Sequence, residues 1–246
     1  LLYQTMVGAW PLDEDRMHRY AEKAAREAKT HTSWTKANAE YEHALHNFIQ
    51  SIYQDRDFLA ELEALVQKIA HAGYANSLGQ TLLKLTCPGI PDIYQGTELW
   101  DFSLVDPDNR RPVDYNLRRT LLDTHEKLSA QEIMDRMKEG LPKLQLIRQG
   151  LQLRRQMPET FGPAGSYEPI QIVGTKAAHA LAFVRGGRAA SLLTRLPFTL
   201  NDWADTTLSL PEGTWRNVLT NRTLPGGVLP IAQVLHPFPV ALLVIE

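Results

Sequence analysis

The chain has 246 residues, of which 43% are hydrophobic and 22% are charged, with a formal net charge of −2. This balance is typical of a globular protein of one or two domains. The basic residues are scattered among acids and form no stripe, which argues against a nucleic-acid partner. No apolar run reaches the length of a membrane span and no signal peptide is recognisable, so we predict a cytoplasmic protein without a membrane partner.

The chain begins without Met, at Leu1, in what reads as the middle of an apolar segment. We therefore expect a fragment of a longer protein. The single cysteine, Cys87, cannot form an internal disulfide, and its apolar context predicts that it is a packing residue.

Apolar residues at helical spacing predict three amphipathic helices in the first third of the chain. They cover residues 17–28, 41–53 and 58–70. Asp13 precedes the first helix, Asp55 is placed to cap the third, and Gly73 is predicted to end it. A further helix at 77–85 is apolar on most faces, as expected for a helix against a sheet.

A short buried strand is predicted at residues 90–94, and helices follow it. One covers residues 117–128, and Ser129 with Glu132 predicts a capping box for the next. Gly140 and Pro142 are predicted to stop that helix. One more helix is expected at residues 143–155.

From residue 161 onward, Gly and Pro recur between short β-favouring runs. These runs are residues 170–173, 180–185, 189–194, 206–210, 214–219, 228–234 and 240–245. Gly186-Gly187 predicts a tight hairpin, and residues 211–213 and 225–227 predict turns. The pattern predicts an antiparallel β-sandwich of about 85 residues, with Trp203 and Trp215 in its core.

The segment 87–115 is the most informative part of the sequence. Two prolines and a glycine bracket an apolar run that ends at Tyr94, and four aspartates, two arginines and aromatic residues follow. Such a loop after a buried strand is typical of a binding site at the end of a barrel strand. A salt-bridged surface turn is the alternative interpretation.

This segment also carries a family resemblance. Its Pro-Gly, Tyr94 and Gly-Thr-Glu pattern resembles the eighth strand and following loop of the α-amylase superfamily. Residues 98–115 are similar, within that superfamily, to the maltooligosyltrehalose synthases. Three further segments fit the same family, namely residues 1–11, 23–34 and 76–86.

The resemblance implies an α+β fold with two parts. Residues 1–160 would be the C-terminal, helical portion of a catalytic (β/α)8 barrel with a helical insertion, and residues 161–246 an antiparallel β-sandwich domain. A closed barrel needs about 250 residues by itself. The remainder of the barrel is therefore expected to be a partner of this segment.

The candidate substrate-binding residues offer hydrogen bonds or aromatic faces, the contacts that sugars require. They are Asp106, Asp108, Asn109, Arg110, Arg111, Glu98 and Trp100 in the loop, Tyr94 and Gln95 at the strand end, and Lys29, His31 and Trp34 after the first predicted helix. For Tyr94 the alternative is structural packing. For residues 29–34 it is an ordinary helix C-terminus whose cations interact with the last carbonyls.

No cofactor or metal is predicted. The spacing Asp106-x-Asp108 lacks the alternating oxygen ligands and glycine of a calcium loop, because arginines stand in those places. His43 and His46 share a helical face, but the sequence shows no third ligand nearby, so a surface role is favoured.

The resemblance implies a retaining mechanism with an acid and a nucleophilic carboxylate, acting on maltooligosaccharides and other α-1,4-glucans. The family's catalytic carboxylates follow earlier barrel strands, so no catalytic residue is assigned here and the isolated chain is expected to be inactive. Two alternatives stay open. One is another enzyme of the superfamily, such as a trehalohydrolase or debranching enzyme, and the other is a non-catalytic glucan-binding module.

Overall fold

The computed structural model describes residues 1–104 and 108–246, apart from the side chain of Asn109. The chain divides into two compact units. The first comprises Leu1–Ala70 and Asp101–Pro112, and the second comprises His71–Trp100 and Val113–Glu246. In the described ranges, no helix combines the length and the apolar character needed to cross a membrane.

The first unit is helical. It contains α1 (Leu2–Ala9), α2 (Glu14–Ala28), α3 (Ala39–Gln54) and the first part of α4 (Arg56–Thr86). Asp13 precedes α2, as predicted, and it also caps the helix, because its carboxylate accepts the Arg16 N–H at 2.8 Å. The apolar stripes of these helices meet in one core, formed by Met6, Ala9, Leu12, Met17, Ala21, Ile49, Ile52 and Leu62.

Helix α4 corrects one prediction. Asp55 caps its start, accepting the Phe58 N–H at 3.0 Å, but the helix does not end at Gly73. A glycine ends a helix when it adopts positive φ, which Gly73 does not do. A glycine inside a helix costs only about 1 kcal/mol relative to alanine, and the good helix formers around it carry the helix through to Thr86.

Further helices follow in the second unit. They are α5 (Tyr115–His125), α6 (Ala130–Asp135), α7 (Leu141–Gln156) and α8 (Pro158–Phe161). The capping box of Ser129 and Glu132 is present at α6, as predicted. Gly140, with φ of 82°, ends a 3-10 turn, whereas Pro142 lies in the first turn of α7, where its missing N–H costs no hydrogen bond.

The described strands form one antiparallel sheet in the second unit. They are β1 (Tyr167–Pro169), β2 (Ile172–Val173), β3 (Ala180–Arg185), β4 (Ala189–Thr194), β5 (Thr207–Asn217), β6 (Thr223–Pro230) and β7 (Val240–Ile245). The order is β1-β3-β4-β7-β5-β2, and β6 also pairs with β5. Because the consecutive strands β1 and β2 pair with opposite ends of this path, the sheet curls toward a half-barrel.

Both faces of this sheet are covered. Along β7, Val240, Leu242 and Val244 pack with α4 and α7, while Ala241 and Leu243 join a core enclosed by the curled sheet. Successive side chains of a strand point to opposite faces, so two apolar faces require an uninterrupted apolar strand. This explains why β7 reads as a continuous apolar run.

The hairpin of β3 and β4 was predicted correctly, with Gly186 and Gly187 both at positive φ. The turns predicted at 211–213 and 225–227 are wrong, because both segments lie inside the β5–β6 pair at a register shift. There the backbones approach so closely that a Cβ on Gly226 would lie 2.4 Å from the Pro211 carbonyl oxygen. The run predicted at 228–234 leaves the sheet at Pro230 and continues as α9 (Ile231–Val234).

The strand predicted at residues 90–94 is also wrong. These residues are irregular in the structure, and Ile90 is 96% exposed. A strand needs hydrogen-bonding neighbours, and within the described residues of the second unit this segment has none. Pro88 and Pro91 lower its pairing capacity further, because each lacks an N–H donor.

Candidate functional site

Asp108 is the centre of a polar cluster in the first unit. Its Oδ2 accepts hydrogen bonds from Arg16 Nη2 at 2.8 Å, from Arg16 Nε at 3.3 Å and from the Leu104 N–H at 2.8 Å. Its Oδ1 pairs with Arg111 Nε at 3.1 Å. Arg16 Nη2 also donates to the Phe102 carbonyl at 2.9 Å. The predicted site residues Asp108 and Arg111 therefore pair directly, and a residue of α2 also binds Asp108.

The electrostatics of the cluster keep Asp108 ionised. Burial acts to raise the pKa of this carboxyl, but hydrogen bonds from Arg16 and Leu104, with the charges of Arg16 and Arg111, lower it below its ordinary value. A carboxylate with both oxygens engaged has little capacity left for a ligand. Asp108 therefore fixes the positions of the side chains and backbone that donate to it.

A cavity of about 190 Å³ lies beside this cluster. Its described lining consists of Arg16, Arg19, Tyr20, Lys23, Leu104, Asp108 and Arg111. The four residues from α2 were not predicted as site residues. The sequence did hold a signal, because they follow the spacing i, i+3, i+4, i+7, which places them on one face of the helix.

Three further predicted residues belong to the same loop. Asp106 lies outside the described residues, and so does the side chain of Asn109. Arg110 is exposed at the end of a 3-10 turn that spans Asp108–Arg110. Their roles in substrate binding stay predictions.

The predicted residues Lys29, His31 and Trp34 lie in the connection between α2 and α3. Lys29 is the left-handed C-cap residue of α2, with φ of 56°. His31 packs on Tyr41 with ring centroids 4.9 Å apart. Trp34 is 57% exposed and lies 4.9 Å from the Arg26 guanidinium. The connection therefore presents an aromatic face to solvent.

Glu42 of α3 holds this connection in place. Its carboxylate accepts from Arg26 Nε and Nη2, both at 2.8 Å, and from the Thr32 hydroxyl at 2.6 Å. The hydrogen bond from Arg26, followed by that from Thr32, lowers the pKa of Glu42 from its ordinary 4.5 to about 2.

This shift predicts a pH-dependent contribution to stability. A depressed folded-state pKa stabilises the fold fully above the unfolded value of 4.5, and the contribution is lost as the pH falls toward 2. Glu42→Gln should therefore lower the melting temperature at neutral pH, and its difference from the wild type should shrink steadily as the pH falls from 4.5 toward 2. Thermal unfolding across pH tests this, with Glu40→Gln on the same helix as control. A difference at pH 2 as large as at neutral pH would contradict the assignment.

Tyr94 lies in the second unit, on a polar groove of about 360 Å³. The described lining of this groove consists of Ser77, Gln80, Thr81, Lys84, Asp92, Tyr94, Thr97 and Lys143. The Tyr94 ring is 45% exposed, and Gln95 beside it is exposed. Both side chains are accessible to solvent, and their roles in substrate binding stay predictions. The groove residues of α4 went unnoticed because the sequence appeared apolar there on most faces.

Glu98 and Trp100 are engaged within the protein. Glu98 pairs with Arg118 Nε at 3.0 Å, and Arg118 also donates to the Gly96 carbonyl at 2.6 Å. The Trp100 indole stacks on Tyr74 with centroids 4.8 Å apart, and its N–H donates to the Met137 carbonyl at 2.5 Å. These contacts anchor the loop, and direct sugar contact by either residue stays a prediction.

Two arginines fix the point where this loop leaves α4. Arg154 donates to the carbonyls of Leu85 at 2.8 Å and Gly89 at 3.1 Å, and Arg185 donates to the Thr86 carbonyl at 2.9 Å. Cations at the C-terminal end of a helix satisfy its last carbonyls and complement its dipole. The start of the loop is therefore set by side chains from α7 and β3.

Across residues 1–104 and 108–246, no group of three or more histidine, cysteine, aspartate or glutamate side chains could hold a metal ion. His46 instead stacks on His18, with ring centroids 3.9 Å apart. Burial raises the pKa of the Cys87 thiol, which suits its predicted role in packing.

Fold and site together define an α+β protein whose polar clefts carry the hydrogen-bonding side chains that suit a hydroxyl-rich ligand. Comparison with known proteins shows which enzymes the chain is similar to. No protein-family model matches the chain. A protein of Mycobacterium tuberculosis H37Rv, provisionally assigned as a maltooligosyl trehalose synthase, is 39% identical over 99% of this chain and 31% of its own length.

Solved structures agree with this relationship. The maltooligosyltrehalose synthase of Arthrobacter ramosus matches with a TM-score of 0.89 and 39% identity, over 100% of this chain and 32% of its own. A second maltooligosyl trehalose synthase matches with a TM-score of 0.82 and 28% identity, over the same shares. The chain is therefore homologous along its whole length to maltooligosyl trehalose synthases, and it spans about one third of the length of the relatives it matches.

Proposed function

We propose that this chain is the C-terminal part of a maltooligosyltrehalose synthase. Such an enzyme converts the reducing-end α-1,4 bond of a maltooligosaccharide to the α,α-1,1 bond of trehalose by intramolecular transglycosylation. In this proposal residues 1–160 complete the catalytic (β/α)8 barrel, and residues 161–246 form its C-terminal β domain, which is built on the single curled sheet. The observation that carries the proposal is the 39% identity, together with the TM-score of 0.89, over the whole chain.

The irregular segment at 90–94 supports the barrel assignment. Arg154 and Arg185 hold its start, yet Ile90 is 96% exposed. Leaving a large apolar side chain in water forgoes roughly 1.5–3 kcal/mol of burial free energy. Neighbouring strands from the remainder of the barrel would cover Ile90 and supply the strand pairing that the segment does not have among the described residues.

The chemistry expected of the complete enzyme needs two carboxylates. One protonates the glycosidic oxygen and the other captures the sugar covalently. We place both outside these 246 residues. The released glucose must then turn over and attack through its 1-hydroxyl before water does, which requires directional contacts on the acceptor side. The half-exposed Arg111 of the first unit can provide such contacts.

Product analysis tests this function. The complete protein that carries this segment should convert maltopentaose to a non-reducing product, because capture by the released glucose consumes the reducing end. The purified 246-residue chain should convert none, because it lacks the catalytic carboxylates. Release of free glucose, trehalose or shorter reducing sugars as the main products would assign another enzyme of the superfamily. Turnover by the isolated chain would overturn the placement of the carboxylates.

A further inference from the structure

We propose that Arg16 is a positioning residue for the substrate-binding loop, which it holds through Asp108 so that Arg111 faces the sugar. The proposal rests on the function proposed above. It concerns an arginine 92 positions before Asp108 in the sequence, on a helix that carries none of the predicted sugar contacts within its span.

Arg16 donates hydrogen bonds to the loop at two residues, Phe102 and Asp108. Its Nη2 donates to the Phe102 carbonyl at 2.9 Å and to Asp108 Oδ2 at 2.8 Å, and its Nε donates to the same oxygen at 3.3 Å. One planar guanidinium thus connects residue 102 with residue 108. A lysine ammonium on its flexible stem could not reproduce this fixed fork of donors.

The pair is largely withdrawn from solvent. The side chains of Arg16 and Asp108 are 13% and 17% exposed. Exposed ion pairs contribute little, whereas charge-assisted hydrogen bonds in a sheltered site are stronger and hold their geometry. The backbone of Arg16 is itself fixed, because its N–H is bound by the capping carboxylate of Asp13 in the first turn of α2.

Asp108, held by Arg16, in turn fixes the Arg111 side chain. Arg111 Nε lies 3.1 Å from Asp108 Oδ1 and donates to the Asp108 carbonyl at 3.0 Å, and Arg111 Nη2 lies 3.3 Å from Ser103 Oγ. The Arg111 side chain nevertheless remains 55% exposed. A guanidinium has five N–H donors, so Arg111 keeps donors for sugar hydroxyls while Asp108 fixes its direction.

The structural step can be tested on the 246-residue chain without any substrate. The Leu104 N–H donates to Asp108 Oδ2, so its hydrogen exchange reports whether the carboxylate is in place. Arg16→Met should accelerate exchange at Leu104 by about tenfold or more, and Arg16→Lys should accelerate it less. Arg216→Met, which removes an exposed ion pair with Glu246, is the matched control and should leave Leu104 unchanged. Unchanged exchange in Arg16→Met would overturn the inference and leave the proposed function standing.

The functional step needs the complete protein. Arg16→Met should raise KM for maltopentaose about tenfold with kcat nearly unchanged, because a misdirected Arg111 weakens binding. The double variant with Arg111→Met should bind no worse than Arg111→Met alone, since Arg16 acts through Arg111. Independent, multiplicative effects would overturn the inference that Arg16 acts through Arg111. If exchange at Leu104 responds but the wild type makes no non-reducing product, it is the proposed function that fails.

Discussion

Trp215→Ala is expected to lower the free energy of unfolding by about 4 kcal/mol, within the usual range for truncating a buried tryptophan. Trp215 on β5 is fully buried. Its ring belongs to the core enclosed by the curled sheet, together with residues such as Leu192, Leu210, Leu224 and Leu243. The indole N–H donates to the Pro211 carbonyl at 2.8 Å, so truncation removes both packing and a sheltered hydrogen bond.

Urea unfolding followed by circular dichroism measures this effect. Trp215→Phe should fall between the wild type and alanine, because it keeps most of the apolar contact but loses the N–H donor. Phe198→Ala is a control in the same unit, where the ring is 55% exposed, and should cost less than about 1 kcal/mol. Equal losses for Trp215→Ala and Phe198→Ala would show that the enclosed core does not determine the stability of the sheet.

The elements that the sequence predicted well are those decided by local chemistry. The three strands β3, β4 and β7 match the predicted runs residue for residue. Gly186 and Gly187 fix the hairpin, since only a residue tolerant of positive φ fits there. The capping residues Asp13, Asp55 and Ser129 likewise marked helix starts that the structure confirms.

The errors arose where distant parts of the chain decide the structure. Glycine is typical of a helix end, but Gly73 lies inside α4, which continues on both sides of it. Residues 211–213 have the composition of a turn, yet β6 pairs with β5 on both sides of them. Residues 90–94 have the composition of a buried strand, but a strand forms only beside another. None of these outcomes could be predicted from a window of neighbouring residues.

The candidate site shows the same division. The sequence indicated that Asp108 and Arg111 matter, because charge gathers in that loop after a buried run. The sequence could not indicate that Asp108 binds Arg16, since the two residues lie 92 positions apart. Residue type predicted the kind of interaction, whereas the fold determined which partner takes part.

Arg185 is the second residue whose loss should be severe, and Arg185→Met is expected to destabilise the chain by about 3 kcal/mol or more. Its side chain is 1% exposed. Within the described structure it donates to four backbone carbonyls, those of Thr86 at 2.9 Å, Ser166 at 3.0 Å, and Gly162 and Gly165 at 3.3 Å each. The sequence placed Arg185 at the end of a strand, where an arginine is usually exposed.

Replacement by methionine keeps much of the volume but leaves these carbonyls without their charged donor. Arg185→Lys should recover part of the loss, because an ammonium can reach fewer of them. Arg216→Met makes the same change at an exposed ion pair on β5 and should cost at most about 1 kcal/mol. Because Arg185 also binds the last turn of α4, its loss should speed hydrogen exchange at Cys87, whose N–H bonds to the Leu83 carbonyl. A methionine variant as stable as the wild type would mean that water or rearranged backbone satisfies these carbonyls, and that the guanidinium does not hold the helix end to the sheet.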